Sequence, residues 1–279
     1  FDDATGLVEK ACLGVASTNP DLRFFAHHKV LYNAAHPRDK VAILAGGGAG
    51  HEPAFSGLVG SGLVTVAVSG DVFASPSSKQ ICSGVDLAPT DKGIVTIVLN
   101  YTGDCLNFGL ASEKARSAFH SEGKGRDIEM VNVGDDVSVG RSKGGLVGRR
   151  GLTGAAFTAK VLGAASEKGD DVQKIAHLGR TMVKNFVTVG SSLDHCHVPG
   201  RSTDPKERGA LSQSAVEIGM GIHNEPGAKH IENKPSGEDL IKEMLELLLR
   251  EDDPERSFVK FNKDDDPVPV SYTHLTLPT

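Results

Sequence analysis

The stretch VAILAGGGAGHEP at residues 41–53 decides the fold class. A short apolar run leads straight into a glycine loop, the pattern of a buried strand that ends at the carboxyl edge of a sheet. Val- and Ile-rich runs at residues 63–68, 94–99 and 128–133 predict further strands, and apolar residues at helical spacing predict a helix at 106–121. Because strands and helices alternate, we predict an α/β fold with mixed or parallel sheets flanked by helices.

The pattern changes beyond Gly140. Two helical segments, a strand and a strongly amphipathic helix are predicted there, at residues 152–165, 172–187, 215–222 and 238–249. We therefore predict a first α/β lobe at residues 1–140 and a second, incomplete lobe at 141–269. Residues 270–279 do not continue this rhythm, which favours a non-native tail, with an ordinary terminal strand as the alternative.

Composition and charge narrow the classes of function. The 279 residues are 39% hydrophobic, which is enough to bury a large core, and their formal net charge is −6. Lys and Arg are scattered without interleaved aromatic residues, which argues against a nucleic-acid surface. Glycines and serines interrupt the uncharged run at 53–70, so no membrane span is predicted. The four cysteines show no paired zinc spacing and are too few to staple a chain of this size, which favours a cytoplasmic protein.

The glycine loop at residues 46–53 is the first candidate for a binding site. Its backbone amides and His51 could hold a polar ligand at the edge of the sheet. No Lys-Ser or Lys-Thr pair follows, so it is not a Walker A loop, and His51 occupies the third glycine position of the dinucleotide fingerprint. The alternative is a tight turn with a capping histidine.

A second loop, NYTGD at residues 100–104, follows the strand at 94–99. Because neighbouring parallel strands end at the same edge, Asp104 and His51 could face one substrate. A carboxylate there could act as general base toward a hydroxyl that attacks phosphorus. Asp104 could instead only cap the helix that follows.

The third segment is GMGIHNEPG at residues 219–227, again a strand that runs into a turn. The neutral imidazole of His223 is a nucleophile near neutral pH. Its addition to an unhindered ketone gives a hemiaminal, whereas an alcohol such as glycerol has no carbonyl to capture. In isolation, His223 is also compatible with a turn histidine bonded to backbone.

Two other clusters of polar residues have weaker signals. His195 and His197 could share a strand face and bind a metal, but no third ligand is evident, so we assign no metal site. Asp135 and Asp136 could bind a cation, or they could form a strand-to-loop turn with solvated carboxylates. We favour the turn.

Taken together, these segments resemble the dihydroxyacetone kinase family, specifically the K domain that binds the keto-triose. Three loops carry the match in the family's order, GGGAGHEP at 46–53, NYTGD at 100–104 and GIHNEPG at 221–227. Supporting matches are SGDVFASP at 69–76, VGDDVSV at 133–139, GRRGLTG at 148–154 and CHVPG at 196–200. The resemblance implies the two-lobed K-domain fold.

The resemblance also implies a role for each matching residue. The histidine of the third loop, His223, would form the covalent hemiaminal with the substrate carbonyl. His51 would orient the substrate by hydrogen bonding, and Asp104 would be the base toward its terminal hydroxyl. Three residues of the first loop would line the triose pocket beside His51 and Asp104: Gly48, Ala49 and Gly50.

Two residues depart from the family pattern. Asn224 follows the nucleophile where glycine is expected, which puts the detail of that loop in question. Leu99 stands where bacterial relatives often carry lysine, so one substrate contact is in question. Leu99 and the FGLA run at 108–111 resemble the ATP-using, eukaryotic-like branch.

That branch implies ATP and Mg²⁺ held by a separate all-helical L domain, which the chain does not contain. The chain is therefore expected to bind dihydroxyacetone, with glyceraldehyde as a second acceptor of some relatives, but not to phosphorylate it alone. A homodimer is the default assembly. The main rival is a non-catalytic dihydroxyacetone-binding regulatory protein, and a metal-dependent hydrolase using His195 and His197 is the third hypothesis.

Overall fold

The computed structural model describes residues 6–123, 125–198, 211–262, 264 and 267–270. The predicted tail therefore lies almost wholly outside the described residues, as does the end of the CHVPG stretch. None of the described helices is long and apolar enough to cross a membrane.

A six-stranded mixed sheet organises most of the chain, in the order β1-β2-β4-β3-β5-β6. The four strands from β4 to β6 in that order run parallel, and the β1–β2 hairpin joins β4 antiparallel. The strands are β1 Leu22–Phe25, β2 Val30–Asn33, β3 Ala42–Ala49, β4 Val66–Val72, β5 Ile94–Leu99 and β6 Ile128–Val133. The mixed α/β fold is thus confirmed.

Helices cover both faces of this sheet. In chain order, the helices of the described residues are α1 Leu7–Ser17, α2 Ser78–Leu87, α3 Thr102–Glu122, α4 Arg141–Gly144, α5 Gly154–Glu167, α6 Val172–Val183 and α7 Gly237–Leu249, of which α2, α3, α5 and α6 pack on the faces of the sheet. The predicted helix at 106–121 is α3, which begins at Thr102, directly behind β5. It ends where Gly123 adopts a left-handed conformation, with a φ of 66°.

The two faces of the sheet have separate apolar cores because successive residues of a strand point to opposite sides. Ile43 and Ile97 pack with α5 and α6 on one face. Leu44 and Val98 pack with α2 and α3 on the other. All six residues of β5 are buried, as expected of a central parallel strand.

The packing of α5 and α6 bears on the predicted lobes. Both helices belong to the second predicted lobe, yet they share the core of the first sheet. The change of pattern near Gly140 is therefore not a boundary between two cores. It marks the point where the chain crosses to the other face of the same sheet.

A small antiparallel sheet follows α6, with β7 Ser191–Ser192, β8 Val216–Ile218 and β9 Lys229–Ile231. The predicted strand at 215–222 is shortened to β8 because the chain turns at Gly219, whose φ is 81°. This early turn leaves residues 219–227 free to form a loop instead of a strand.

Candidate functional site

A cavity lies at the carboxyl edge of the parallel strands. The loop behind β3, the start of α3 behind β5 and the turn after β8 converge on it. Its lining residues are Gly47, Gly48, His51, Ala54, Phe55, Leu99, Tyr101, Asp104, Ile222 and His223. The sheet supplies the rigid floor, and loops from distant parts of the chain supply the polar groups.

The glycine loop owes its shape to close backbone contacts. A Cβ atom at Gly48 would lie 2.8 Å from the backbone nitrogen of Ala74, so a side chain has no room there. Gly50 has a φ of 96°, a conformation that favours glycine. These constraints bring His51 over the end of β3.

His223 contacts a histidine on one side and a carboxylate on the other. Its Nε2 atom lies 3.0 Å from Nε2 of His51. Its Nδ1 atom lies 3.1 Å from Oε1 of Glu225, and its backbone N–H donates to Oε2 of Glu225 at 2.9 Å. The Glu225 side chain therefore braces the nucleophile candidate within a single turn.

The charge of Glu225 selects the tautomer of His223. Burial by itself would raise the pKa of Glu225, but the hydrogen bonds from His223 outweigh it and lower the pKa to about 2. An ionised carboxylate only accepts hydrogen bonds, so Nδ1 of a neutral His223 carries the proton. Its Nε2 atom then presents a lone pair, and Nε2 of His51 is the donor between the two rings.

Aromatic rings hold both imidazoles in place. The ring of Phe73 stacks on His51 with a centroid distance of 4.8 Å and an interplanar angle of 14°. Tyr101 meets His223 edge-on at 5.0 Å. These contacts restrict the rotation of both histidines and leave their facing nitrogens on the cavity side.

Asp104 is the buried acid of the site, with 6% of its surface exposed. Burial raises the pKa of this carboxyl, and contacts with Ser75 and His223 only partly oppose that effect. Its Oδ1 atom accepts no hydrogen bond from the part of the chain that the structure describes. A buried acceptor of this kind suits a ligand hydroxyl.

Asp135 and Asp136 are fully buried, so our expectation of solvated carboxylates was wrong. Asp135 accepts backbone hydrogen bonds from Leu152 and Gly154, at 2.7 and 2.9 Å, and one from the hydroxyl of Thr188. Asp136 forms an ion pair with Arg150 at 2.7 Å. Since each carboxylate has partners, both are structural anchors behind the site.

Arg150 links this buried network to the His223 turn. Its guanidinium donates to the carbonyl oxygen of Gly219 at 2.8 Å. A Cβ atom at Gly221 would clash with both Arg150 and Glu225, so the turn packs directly on the ion pair. The buried charges thus determine where the turn begins.

The predicted site residues divide into two groups. His51, Asp104, His223 and Gly48 come together around the cavity. The structure places the other two elsewhere, since Ala49 packs with Val8 and Cys12, and Gly50 lies against Phe73.

His195 and His197 do not join a metal-ligand cluster. Within residues 6–123, 125–198 and 211–262, no group of three or more His, Cys, Asp or Glu side chains could hold a metal ion.

Comparison with known proteins places this site in a family. Residues 13–271 match the Dak1 domain. The chain belongs to the Dak1 family. A dihydroxyacetone kinase of Pichia angusta is 43% identical over 272 residues, which cover 94% of this chain and 44% of that protein. The chain thus spans less than half the length of the curated relatives that it matches.

Solved structures share the Dak1 fold described above. The native dihydroxyacetone kinase of Citrobacter freundii has a TM-score of 0.77 at 33% identity, covering 88% of this chain and 44% of that one. The same enzyme is known in complex with AMP-PNP and Mg²⁺. A dihydroxyacetone kinase operon co-activator, DhaQ, has a TM-score of 0.74 at 30% identity, covering 85% and 70% of the two chains. The fold is therefore shared by kinases and a regulator.

The sequence analysis of this Dak1 chain predicted no role for several residues that contact the site. Tyr101 and Glu225 lie inside the matched loops, so their presence was visible although their contacts were not. Phe73 lies in a supporting match, at 69–76. Ile222 also lies in a matched loop, at 221–227, whereas Phe55 gave no signal beyond apolar character, because its role depends on how distant loops meet.

Proposed function

We propose that this chain is the substrate-capturing K domain of an ATP-dependent dihydroxyacetone kinase and holds the keto-triose as a hemiaminal on His223. The observation that carries the proposal is the position of Nε2 of His223, 3.0 Å from Nε2 of His51, on a ring whose Nδ1 atom is held by Glu225. A nucleophile beside a hydrogen-bond donor suits addition to a carbonyl group.

The capture step conserves atoms and protons. The Nε2 lone pair of His223 forms a bond to the carbonyl carbon, and the C=O π electrons move to oxygen. His51 donates a hydrogen bond to that oxygen. The net proton transfer runs from Nδ1 of His223 to the new hydroxyl, and Glu225 accepts the hydrogen bond from Nδ1 until that proton leaves.

Asp104 acts on the other end of the triose in this proposal. Its Oδ1 atom, which has no hydrogen-bond partner among the described residues, accepts the hydrogen bond of a terminal hydroxyl. Because burial raises its pKa, its conjugate acid is stable enough for the carboxylate to take the hydroxyl proton. Gly48 lets the substrate approach the backbone, whereas Ala49 and Gly50 support the loop from behind.

The phosphoryl donor belongs to a separate part of the protein. The glycine loop lacks the Lys-Ser or Lys-Thr pair of a Walker A loop. We assign ATP and Mg²⁺ to a helical L domain of the full-length protein, which would supply the phosphoryl group. A cytoplasmic homodimer and glyceraldehyde as a second acceptor complete the proposal.

The rival function is non-catalytic binding of dihydroxyacetone for regulation. The similarity to the DhaQ co-activator favours this rival because it shows the fold outside a kinase. His223, His51 and Asp104 favour the enzyme, since a purely regulatory site has no use for a hydroxyl base beside a nucleophile.

Comparing a ketone with an alcohol tests the capture step. We would titrate the chain with dihydroxyacetone isotopically labelled at the carbonyl carbon and follow that carbon by NMR, with glycerol as the matched ligand in calorimetry. The proposal predicts a tetrahedral carbon signal for the bound ketone and much weaker binding of glycerol. Equal binding of both ligands, with an unchanged carbonyl signal, would favour the regulatory function.

A further inference from the structure

Asn224, the residue after His223, has an unusual backbone conformation. Its φ is 65°, in the left-handed region that most L-residues avoid. Asparagine tolerates this region better than other residues with a side chain, and glycine tolerates it best. The conformation therefore explains how asparagine can stand where the family pattern has glycine, but it does not explain what the side chain does.

The side chain of Asn224 spans to a distant segment. Its Oδ1 atom accepts a hydrogen bond from the backbone N–H of Cys196 at 2.7 Å, and its Nδ2 atom donates to the carbonyl oxygen of Cys196 at 3.0 Å. The amide thus pairs with both backbone groups of one residue, 28 positions away in sequence. We call these two bonds the Asn224 clamp.

The clamp acts on the turn that carries the nucleophile. Within this turn, the backbone N–H of Asn224 donates to Gly221 at 3.1 Å, and the N–H of Gly221 donates to Glu225 at 2.9 Å. Arg150 holds the start of the turn through Gly219, whereas the clamp holds its tip. The position of His223 between these two attachments depends on both.

We infer that Asn224 is a positioning residue whose clamp keeps Nε2 of His223 directed at the substrate carbonyl. This inference rests on the proposed capture function and adds a residue to it. Asn224 does not line the cavity, so it acts through His223 and not on the substrate. A small displacement of the turn would move the nucleophile off the line of attack and slow the reaction.

Two substitutions separate the clamp from the backbone conformation. Asn224→Gly keeps the left-handed conformation at no steric cost and removes both hydrogen bonds. Asn224→Ala removes the bonds and also strains the backbone. We expect the fraction of captured ketone to fall about three- to tenfold in Asn224→Gly, since two neutral hydrogen bonds are lost, and further in Asn224→Ala. If Asn224→Gly captures as well as the wild type, the clamp has no positioning role.

A second comparison shows whether the effect passes through His223. We would measure the binding of dihydroxyacetone by ligand-observed NMR to two proteins, His223→Ala and the double variant that carries His223→Ala and Asn224→Gly. Thermal unfolding would check that both are folded. Positioning predicts equal, weak binding to these two proteins and unchanged glycerol binding by Asn224→Gly. An Asn224→Gly effect that persists without His223 would overturn the inference. Absence of capture by the wild type would instead overturn the proposed function itself.

Discussion

The Nε2 atoms of His51 and His223 lie 3.0 Å apart, although 172 positions separate the two residues in the sequence. Since Glu225 holds the proton on the far nitrogen of His223, His51 is the donor of this pair. The free protein thus already has a donor aimed at the place where the carbonyl oxygen would take up negative charge during capture. Such preorganised donors stabilise developing negative charge effectively.

His51 should therefore matter through its donor and not only through its ring. We expect His51→Phe, which keeps the stacking on Phe73, to slow ketone capture about a hundredfold, the cost typical of losing one oxyanion donor. His51→Gln keeps an amide donor and should retain more activity. The rate of ketone capture, measured by stopped-flow NMR or calorimetric kinetics, checks this prediction. Faster capture by His51→Phe than by His51→Gln would contradict the donor role.

We expect the ionised side chain of Asp104 to lower the stability of the folded protein at neutral pH. Burial raises its pKa in the folded protein above the unfolded value, so its ionised form at neutral pH opposes folding. Asp104→Asn should raise the melting temperature at neutral pH, and the difference should shrink as the pH falls through the raised pKa. Asp91→Asn, at an exposed ion pair, is the control and should give no such gain. A less stable Asp104→Asn would contradict the account.

Glu225 should contribute to stability with the opposite dependence on pH. Its folded pKa of about 2 lies below the ordinary value of 4.5, so the ionised carboxylate stabilises the fold above pH 4.5. This contribution is lost as the pH falls from 4.5 to about 2. Glu225→Gln should flatten that part of the profile of unfolding free energy against pH and should slow capture. Parallel profiles for the two proteins would show that Glu225 is not held by His223.

The ion pair of Asp136 and Arg150 should be essential for the fold around the site. The Asp136 side chain is 0% exposed and that of Arg150 is 12% exposed, so Arg150→Met leaves a buried charge without its partner. We expect a loss of about 3–5 kcal/mol in the free energy of unfolding, measured in urea. The exposed pair of Arg38 and Asp91 provides the control, and Arg38→Met should cost at most about 1 kcal/mol. Equal losses would contradict the anchoring role.

Much of the fold could be predicted because its signals are local. The bounds of β5 follow from the continuous apolar run of a central parallel strand, and those of β6 from a Val- and Ile-rich run that Glu129 and Asn132 interrupt. α7 begins one residue before its predicted start, because Ser236 caps it. The β1–β2 hairpin was missed since its strands are only four residues long and carry weak apolar patterns.

The site could be predicted in part, and the failures have a common cause. His51, Asp104 and His223 stand in loops directly behind strands, so topology brings them to one edge. The burial of Asp135 and Asp136 was not predictable, because Arg150 and Thr188, which pair with their side chains, lie 14 and 53 positions away. The packing of Ala49 with Val8 and Cys12 was not predictable either, because only the three-dimensional path of the loop decides which of its residues face the cavity.

The most direct test of the central claim is whether the ketone carbon bonds to Nε2 of His223. We would label the histidine imidazole nitrogens and the dihydroxyacetone carbonyl carbon and search by NMR for a one-bond coupling between them, with His223→Ala as the control. The account predicts a coupling to a tetrahedral carbon in the wild type and none in the variant. A folded wild-type protein that binds the ketone without this coupling would contradict covalent capture.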